Sequence, residues 1–248
     1  MIRSAEARTA LVTGASRGIG SLIAHRLATA GWNLTISARS AGPLEELAAR
    51  LSNEEGCTVV PVAADMSNEE DLRRLAQAHS DAFGRLDALV LNAGMGAIGP
   101  LDVFPARRFD KLFMVNTRSA YILVQQTLAL LRATAALHGA ARVIAVSSLT
   151  GVAGEPLNSA YGATKAALTS LCETLNTEES ERGVLATAVC PGYVATDMTA
   201  PLADQVAPEF MIDPADVAEV VVSLTRLTGS VVIPKIAMTR PGPHLWRA

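Results

Sequence analysis

The stretch TALVTGASRGIGSLIAHRLATAG, residues 9–31, decides how the rest of the chain is interpreted. Its first six residues form a short apolar run, which predicts a strand. Glycines follow at positions 14, 18 and 20, and apolar residues then recur at helical spacing until Gly31 ends the pattern. The stretch therefore predicts a strand, a glycine-rich turn and a helix in direct succession.

The same alternation of strand and helix patterns continues along the chain. Further strand patterns occur at residues 33–38, 57–64, 86–94, 141–148, 183–192 and 230–236, and the longest helical pattern covers residues 106–138. Such alternation builds a parallel sheet through right-handed crossovers, and strands covered on both faces are continuously apolar. We therefore predict an α/β fold, a doubly wound parallel sheet of about seven strands with helices on both faces. A closed barrel of about eight strands is the rival, and the lower strand count favours the open sheet.

Composition and charge restrict the possible partners. The 248 residues are 50% hydrophobic and 18% charged, which predicts one compact domain over residues 1–248. The net charge of −3 gives no reason to expect a nucleic-acid or membrane partner. Three scattered cysteines predict free thiols, and four histidines without metal-ligand spacing predict no metal site. The N-terminal segment does not resemble a signal peptide, so a cytoplasmic location is expected.

The glycine-rich turn, TGASRGIG at residues 13–20, suggests a phosphate site. Where a strand turns into a helix, glycines let a pyrophosphate approach the backbone N–H groups and the positive end of the helix. A tight turn that merely needs glycine is the alternative, but the position after the first strand favours binding. The residues expected to contact a dinucleotide here are Gly14, Ser16, Arg17, Gly18, Ile19 and Gly20.

The end of the second strand indicates which dinucleotide is bound. An NAD site usually places a carboxylate about 20 residues beyond the glycines, where it holds the ribose 2′-OH. Ala38 and Arg39 occupy that place, and Arg39 together with Arg17 can pair with a 2′-phosphate. NADP(H) is therefore favoured over NAD(H), the alternative being that both arginines are only solvated. After the third strand, Asp65 is expected to accept from the adenine amino group, with Met66 beside it, and Asn92, Ala93 and Gly94 end the fourth strand at the ligand-binding edge.

A tyrosine and a lysine lie one helical turn apart in SAYGATKAAL, residues 159–168. Positions i and i+4 share a helix face, so Lys165 is expected to lie over the Tyr161 phenol or over a bound ribose between them. A nearby ammonium favours the phenolate and lowers a tyrosine pKa, which suits proton transfer. Surface decoration is the alternative explanation for this pair.

Two further polar residues are candidates for the same site. Ser148 ends the fifth strand, where its hydroxyl can donate to a substrate carbonyl, while Ser147 should point to the opposite face. A turn or capping serine is the alternative for Ser148. Asn116 interrupts the long helix and can hold a water next to Lys165, although an exposed helical asparagine is equally compatible with the spacing.

Taken together, these motifs resemble the classical short-chain dehydrogenase/reductase family over nearly the full length. The matching pieces are TGASRGIG, Asp65, the NAG at 92–94, Asn116, Ser148, Tyr161-x-x-x-Lys165 and PGYVATDM at 191–198. The resemblance implies a Rossmann-type fold and a single dinucleotide-binding oxidoreductase domain over residues 1–248. It further implies Tyr161 as general acid/base, Ser148 as the donor that orients the carbonyl, Lys165 on the nicotinamide ribose and Asn116 on a proton-relay water. It also implies cofactor contacts from Pro191, Gly192, Val194 and Thr196.

The expected activity is NADP(H)-dependent interconversion of a small-molecule carbonyl and an alcohol by hydride transfer. Alternatives are a 3-oxoacyl-carrier-protein reductase, an NAD-dependent alcohol or 3-hydroxy acid dehydrogenase, and a non-catalytic NADP(H)-sensing protein. Arg107, Arg108 and Lys111 could meet an acidic carrier or form a solvated face. A short substrate loop is expected at about residues 197–212. The C-terminal end departs from the glycine-rich ending of many tetrameric members, so a homodimer is as compatible as a homotetramer.

Overall fold

The computed structural model describes residues 7–200 and 206–242, and within them seven strands form one sheet in the order β3-β2-β1-β4-β5-β6-β7. Every neighbouring pair is parallel. The strands are β1 Thr9–Thr13, β2 Asn33–Ala38, β3 Val59–Ala63, β4 Ala88–Leu91, β5 Ala141–Val146, β6 Val184–Pro191 and β7 Lys235–Met238. The predicted doubly wound fold is confirmed, and the barrel is excluded because β3 and β7 are free edges of the described sheet.

Helices cover both faces of the sheet. They are α1 Gly18–Thr29, α2 Ala41–Glu55, α3 Glu69–Phe83, α4 Ala106–Phe113, α5 Ser119–His138, α6 Ser159–Glu179 and α7 Pro214–Leu224. Helices α1, α2 and α7 pack on one face, and α3, α5 and α6 pack on the other. Two of the helix starts are set by side-chain caps, because Asn68 and Asp213 accept hydrogen bonds from the first-turn amides of α3 and α7.

Each face of the sheet has its own hydrophobic core. Along β1, Ala10 and Val12 join the core under α1 and α7, while Leu11 joins the core under α3 and α5. Successive strand residues point to opposite faces, so a strand with helices on both sides needs apolar residues at every position. All residues of β1, β4, β5 and β6 are buried, and most of them are apolar, as predicted. Arg142 in β5 is the charged exception, and its Nη2 donates to the carbonyls of Leu227 and Thr228.

The two edge strands differ from this pattern. Pro61 is exposed in the middle of β3, where the missing N–H costs nothing at a sheet edge. The last strand was predicted at residues 230–236, but β7 covers Lys235–Met238. Pro234 has no N–H to give to a ladder, and the hydrogen bond that it does make is through its carbonyl, which accepts from the Ala188 N–H. The predicted strand began too early because apolar residues precede Pro234, and apolar character alone does not show that the strand begins after this proline.

The long predicted helix at residues 106–138 is a continuous helical segment that contains a π turn. The turn covers Met114–Arg118 and separates α4 from α5. By length and composition this segment could cross a membrane, which is weak evidence because core helices pass the same test. Ile122, Leu123 and Leu131 of α5 are buried in the sheet core, which identifies it as a core helix.

A buried histidine links α3 to the sheet. His79 is fully buried, its Nδ1 lies 2.9 Å from the Thr35 Oγ1 in β2, and its Nε2 lies 2.9 Å from the Arg85 carbonyl oxygen. A carbonyl can only accept, so Nε2 carries the proton and Nδ1 accepts from the threonine hydroxyl. Burial lowers the pKa of His79 to about 4, and the Arg85 carbonyl and the Asp87 carboxylate oppose that shift.

Candidate nucleotide-binding and active site

A cleft of about 560 Å³ opens at the carboxyl ends of the strands. The strand order reverses between β1 and β4, and ligands of open α/β sheets bind at such a point. The volume falls within the usual range for small-molecule sites. The sequence-predicted residues that line this cleft are Gly14, Ser16, Arg17, Gly18, Ile19, Arg39, Asp65, Met66, Asn92, Ala93, Gly94, Ser148, Tyr161, Lys165, Pro191, Gly192, Val194 and Thr196.

The glycine turn is required by close backbone packing. Gly14 has a φ of +66°, and a Cβ there would lie 2.9 Å from the Ala93 Cα. A Cβ on Gly20 would lie 2.2 Å from the Gly14 carbonyl oxygen, which no rearrangement of side chains can relieve. Asn92 ties the turn to β4, because its Nδ2 donates to the carbonyls of Thr13 and Gly14. Gly20 does not line the cleft; its role in the structure is to let α1 pack beneath the turn.

Asp65 is held as a carboxylate at one end of the cleft. It accepts hydrogen bonds from the Ser67 N–H at 2.8 Å and the Ser67 Oγ at 2.7 Å. These two bonds, aided by the charges of Lys111 and Arg39, lower the pKa of Asp65. Lys111 Nζ in turn donates to the Ser67 Oγ at 2.7 Å. Arg39 is exposed at this end, next to Ala38, and the end of β2 carries no carboxylate.

Arg17 points to the other side of the glycine turn. Its Nη1 lies 3.0 Å from the Asp197 Oδ2, and both side chains are about 70% exposed (70% and 71%). The segment that carries Asp197 also lies close to the turn, since a Cβ on Gly18 would be at ordinary contact distance, 3.6 Å, from the Thr196 Cγ2. The start of the predicted substrate loop, residues 197–212, therefore contacts the glycine turn. Residues 201–205 of that loop lie outside the described part of the chain.

Ser148 is arranged as a hydrogen-bond donor. Its Oγ accepts from the Thr150 N–H at 3.2 Å and from the Thr150 Oγ1 at 2.9 Å. A serine oxygen has two lone pairs, so its own hydrogen is left for a third partner. Ser148 and Tyr161 line the same cleft, and a side-chain hydrogen bond from Ser148 acts to lower the pKa of Tyr161. Ser147 points away, and its Oγ donates to the Lys165 carbonyl at 2.9 Å, as the alternation along β5 predicts.

Tyr161 does not have the lowered pKa that the sequence predicted. Burial raises the pKa of Tyr161 to about 12, and this effect exceeds that of the Ser148 hydrogen bond. The ring packs beside Ala97, Leu112 and Ala160. Lys165 does not reverse this rise; burial lowers its own pKa to about 8, so it keeps its charge near neutral pH, with its Nζ 5.7 Å from the ring centroid. Without a ligand the phenol is thus fully protonated near neutral pH.

Lys165 is buried and its ammonium is only partly satisfied by the described protein atoms. It is 4% exposed, and its Nζ donates to the Val146 carbonyl at 2.8 Å. An ammonium has three donors, so two remain for groups in the cleft. The Lys165 carbonyl accepts from both Ser147 and Thr169, which fixes this turn of α6 against β5. Surface decoration is therefore excluded for Lys165.

Asn116 lies in the π turn and is 1% exposed, so the reading as an exposed helical asparagine is wrong. Its Oδ1 accepts from the Met95 N–H at 2.8 Å, and its Nδ2 donates to the Met95 carbonyl and to the Thr164 Oγ1. It does not line the cleft but lies directly behind Gly94, where a Cβ would meet its Oδ1 at 3.3 Å and the Lys165 Nζ at 3.5 Å. The π turn is what points this amide inward, and such turns are common at functional sites.

Several residues that line the cleft were missed by sequence reasoning. The loop after β4 contributes an apolar wall of Met95, Ala97 and Ile98, and Met198 faces it from the substrate loop. Met198 comes so close that a Cβ on Gly96 would lie 3.3 Å from its Cγ. Tyr193 and Asn158 also line the cleft; Tyr193 directly follows the predicted Pro191–Gly192 pair, which was the available signal.

One group of possible metal ligands lies on the described surface away from this cleft. The ligand atoms of His25, Glu54 and Glu55 are within 4.8 Å of one another. Exposed carboxylates lie close together without a metal in many proteins, so we do not assign a metal site to this cluster. The expected absence of a metal stays a prediction.

Comparison with known proteins identifies the family. The family model for short chain dehydrogenases matches residues 8–207. A rhamnolipid-biosynthesis 3-oxoacyl-[acyl-carrier-protein] reductase from Pseudomonas aeruginosa is 40% identical over 199 residues, covering 79% of this chain and 77% of the relative. The chain therefore belongs to the short-chain dehydrogenase family of oxidoreductases.

Solved structures agree with this assignment. The Pseudomonas aeruginosa RhlG structure, an active-site complex with NADP, has a TM-score of 0.83 at 34% identity and covers 94% of each chain. A 3-ketoacyl-(acyl-carrier-protein) reductase from Brucella melitensis complexed with NADH has a TM-score of 0.84 at 25% identity, covering 94% of this chain and 96% of the other. These complexes support a nicotinamide cofactor for the fold. The glycine turn, where a side chain would collide with backbone, and the two unused Lys165 donors fit such a group.

Proposed function

We propose that this protein reduces a carbonyl to an alcohol, with NADP(H) as cofactor and Tyr161 as the general acid. The observation that carries the proposal is the pair formed by Ser148 and Tyr161. Thr150 engages both lone pairs of Ser148, which leaves the Ser148 hydrogen for a group in the cleft that it shares with Tyr161, and burial raises the pKa of Tyr161 to about 12. A carbonyl oxygen placed between them would accept from both hydroxyls.

The cofactor, when bound, supplies a hydride to the carbonyl carbon. Side chains of this protein act on the carbonyl oxygen of the substrate. Ser148 donates to it as negative charge develops, and Tyr161 transfers its proton to complete the alcohol. Lys165 has two donors that could hold the ribose hydroxyls of a bound cofactor, and its charge would favour the phenolate that remains after proton transfer. Asn116 keeps the Gly94–Met95 backbone in place beside that lysine.

The preference for NADP(H) rests on the adenosine end of the cleft. Arg39 is exposed at the end of β2, where a carboxylate that would hold the ribose 2′-OH of NAD(H) is missing. A 2′-phosphate would gain a charge-assisted hydrogen bond there, and a free 2′-OH would not.

The substrate that best suits the cleft is a 3-oxoacyl thioester. The relative that is 40% identical is named for 3-oxoacyl reduction. The wall formed by Met95, Ala97, Ile98 and Met198 is apolar, as an acyl chain requires, and it faces the reacting end of the cleft at Tyr161. Arg108 and Lys111, at the rim, could attract an acidic carrier.

The test is turnover of acetoacetyl-coenzyme A with NADPH or NADH by the wild type and by Tyr161→Phe. Loss of a general acid lowers kcat by roughly 10²–10⁴-fold. Tyr121→Phe is the matched control. This substitution also removes a tyrosine hydroxyl, and Tyr121 is 57% exposed on α5. Arg39→Ala should weaken NADPH binding and leave NADH binding nearly unchanged.

The outcomes separate the parts of the proposal. Turnover that survives in Tyr161→Phe would overturn the role of Tyr161. Equal or tighter binding of NADH would overturn the cofactor preference and favour alcohol oxidation. Tight NADPH binding without turnover of any carbonyl tested would point to a sensing protein.

A further inference from the structure

The ion pair between Arg17 and Asp197 joins two segments that are 180 residues apart in sequence. Arg17 belongs to the glycine turn, and Asp197 begins the predicted substrate loop. We propose that Asp197 is a specificity-determining residue that competes with the cofactor's 2′-phosphate for Arg17. The inference rests on the proposed use of NADP(H).

The topology places the two possible partners of Arg17 on opposite sides. Arg17 follows β1, and β2, which ends next to Arg39, lies on one side of β1. The strands β4, β5 and β6 lie on the other side, and Asp197 belongs to the connection that follows β6. That connection is held on the β6 side by hydrogen bonds from the Ala195 N–H to the Ile212 carbonyl at 2.9 Å and from the Thr196 N–H to the Thr199 Oγ1 at 3.2 Å, so Asp197 cannot follow the arginine toward β2. A guanidinium that turns toward a phosphate beside Arg39 must leave Asp197.

In this geometry, breaking the Arg17–Asp197 ion pair weakens the binding of only one of the two cofactors. NADH does not need Arg17 and leaves the ion pair intact. NADPH gains the phosphate contact only after the pair has been broken, so part of that gain is offset. Both side chains are about 70% exposed (70% and 71%), so water screens the pair and the offset is modest.

The experiment measures Kd for NADPH and for NADH with wild type, Asp197→Asn, Arg17→Ala and the double variant, at one ionic strength. Asp197→Asn should raise the ratio of Kd(NADH) to Kd(NADPH) by about two- to fivefold, the range expected for an exposed ion pair. In the Arg17→Ala background the same substitution should leave the ratio unchanged. Asp102→Asn removes an equal charge from another exposed position and controls for overall repulsion of the dinucleotide.

Two results would overturn the inference. An unchanged ratio in Asp197→Asn would mean that the pair does not compete with the phosphate. A lowered ratio would mean that Asp197 instead holds Arg17 in the orientation that the phosphate needs. If neither nucleotide binds the wild type, the proposed function itself fails, and that outcome is visible before any variant is compared.

Discussion

His79 should make the protein lose stability in mild acid, and replacing it by glutamine should remove that loss. The folded-state pKa of His79 is about 4, whereas the unfolded chain titrates near the ordinary value of 6.5. Between these values the unfolded state binds a proton that the folded state refuses, so the free energy of unfolding falls as the pH falls. Linkage with these pKa values gives a loss of about 1.3 kcal/mol between pH 7.5 and 5.5, and about 2.5 kcal/mol by pH 4.5.

The assay is urea unfolding at pH 7.5, 5.5 and 4.5, at constant ionic strength, for wild type and His79→Gln. Glutamine can still donate toward the Arg85 carbonyl and is neutral at every pH used. The variant should be less stable at pH 7.5, because its packing against Phe83 is poorer. Carboxylates titrate in both proteins, so only the difference between wild type and variant reports His79, and that difference should shrink by about 2.5 kcal/mol toward pH 4.5. A constant difference across this range, or an NMR midpoint for the His79 ring near 6.5, would refute the reasoning.

Two backbone positions give further predictions. Gly20→Ala should lower the free energy of unfolding by about 3 kcal/mol or more, since its Cβ meets the Gly14 carbonyl oxygen at 2.2 Å; Gly42→Ala, where a Cβ meets nothing within 4 Å, should be neutral or stabilising in the same urea titration. Leu157 has a φ of +64°, so Leu157→Gly should raise the unfolding midpoint by relieving about 1 kcal/mol of strain. The comparison variant Leu137→Gly, exposed in α5, should lower it by a similar amount, and a fall in both would contradict the strain argument.

The fold was predictable because it depends on signals that are local in sequence. The glycine turn, the apolar strands and the helical spacing of apolar residues each act over a few residues, and strand–helix alternation then leaves few topologies. The pairing of Tyr161 with Lys165 was likewise visible from helical spacing. The final strand was misplaced because the apolar residues 231–233 have the pattern of a strand. The strand begins only after Pro234, which has no N–H to donate.

Features that depend on contacts between distant segments were not predictable. The direction of the Tyr161 pKa shift follows from burial, which spacing does not reveal. The ion pair of Arg17 with Asp197 needs the path of the loop after β6. The bond from Met95 to Asn116 needs the extra residue of the π turn, for which the sequence carried no recognised signal.

That extra residue also sets the orientation of everything before it in the long helix. Deleting one residue from Met114–Arg118 would restore regular α-helical winding, in which each residue advances the chain by about 100° and 1.5 Å. With α5 anchored in the core, α4 would rotate by that angle about its axis. Arg108 and Lys111, which now line the cleft, would be carried to another side of the helix. The same deletion would turn the Asn116 amide away from Met95, so it would change the charge at the rim and also remove the side-chain support of the Gly94–Met95 backbone.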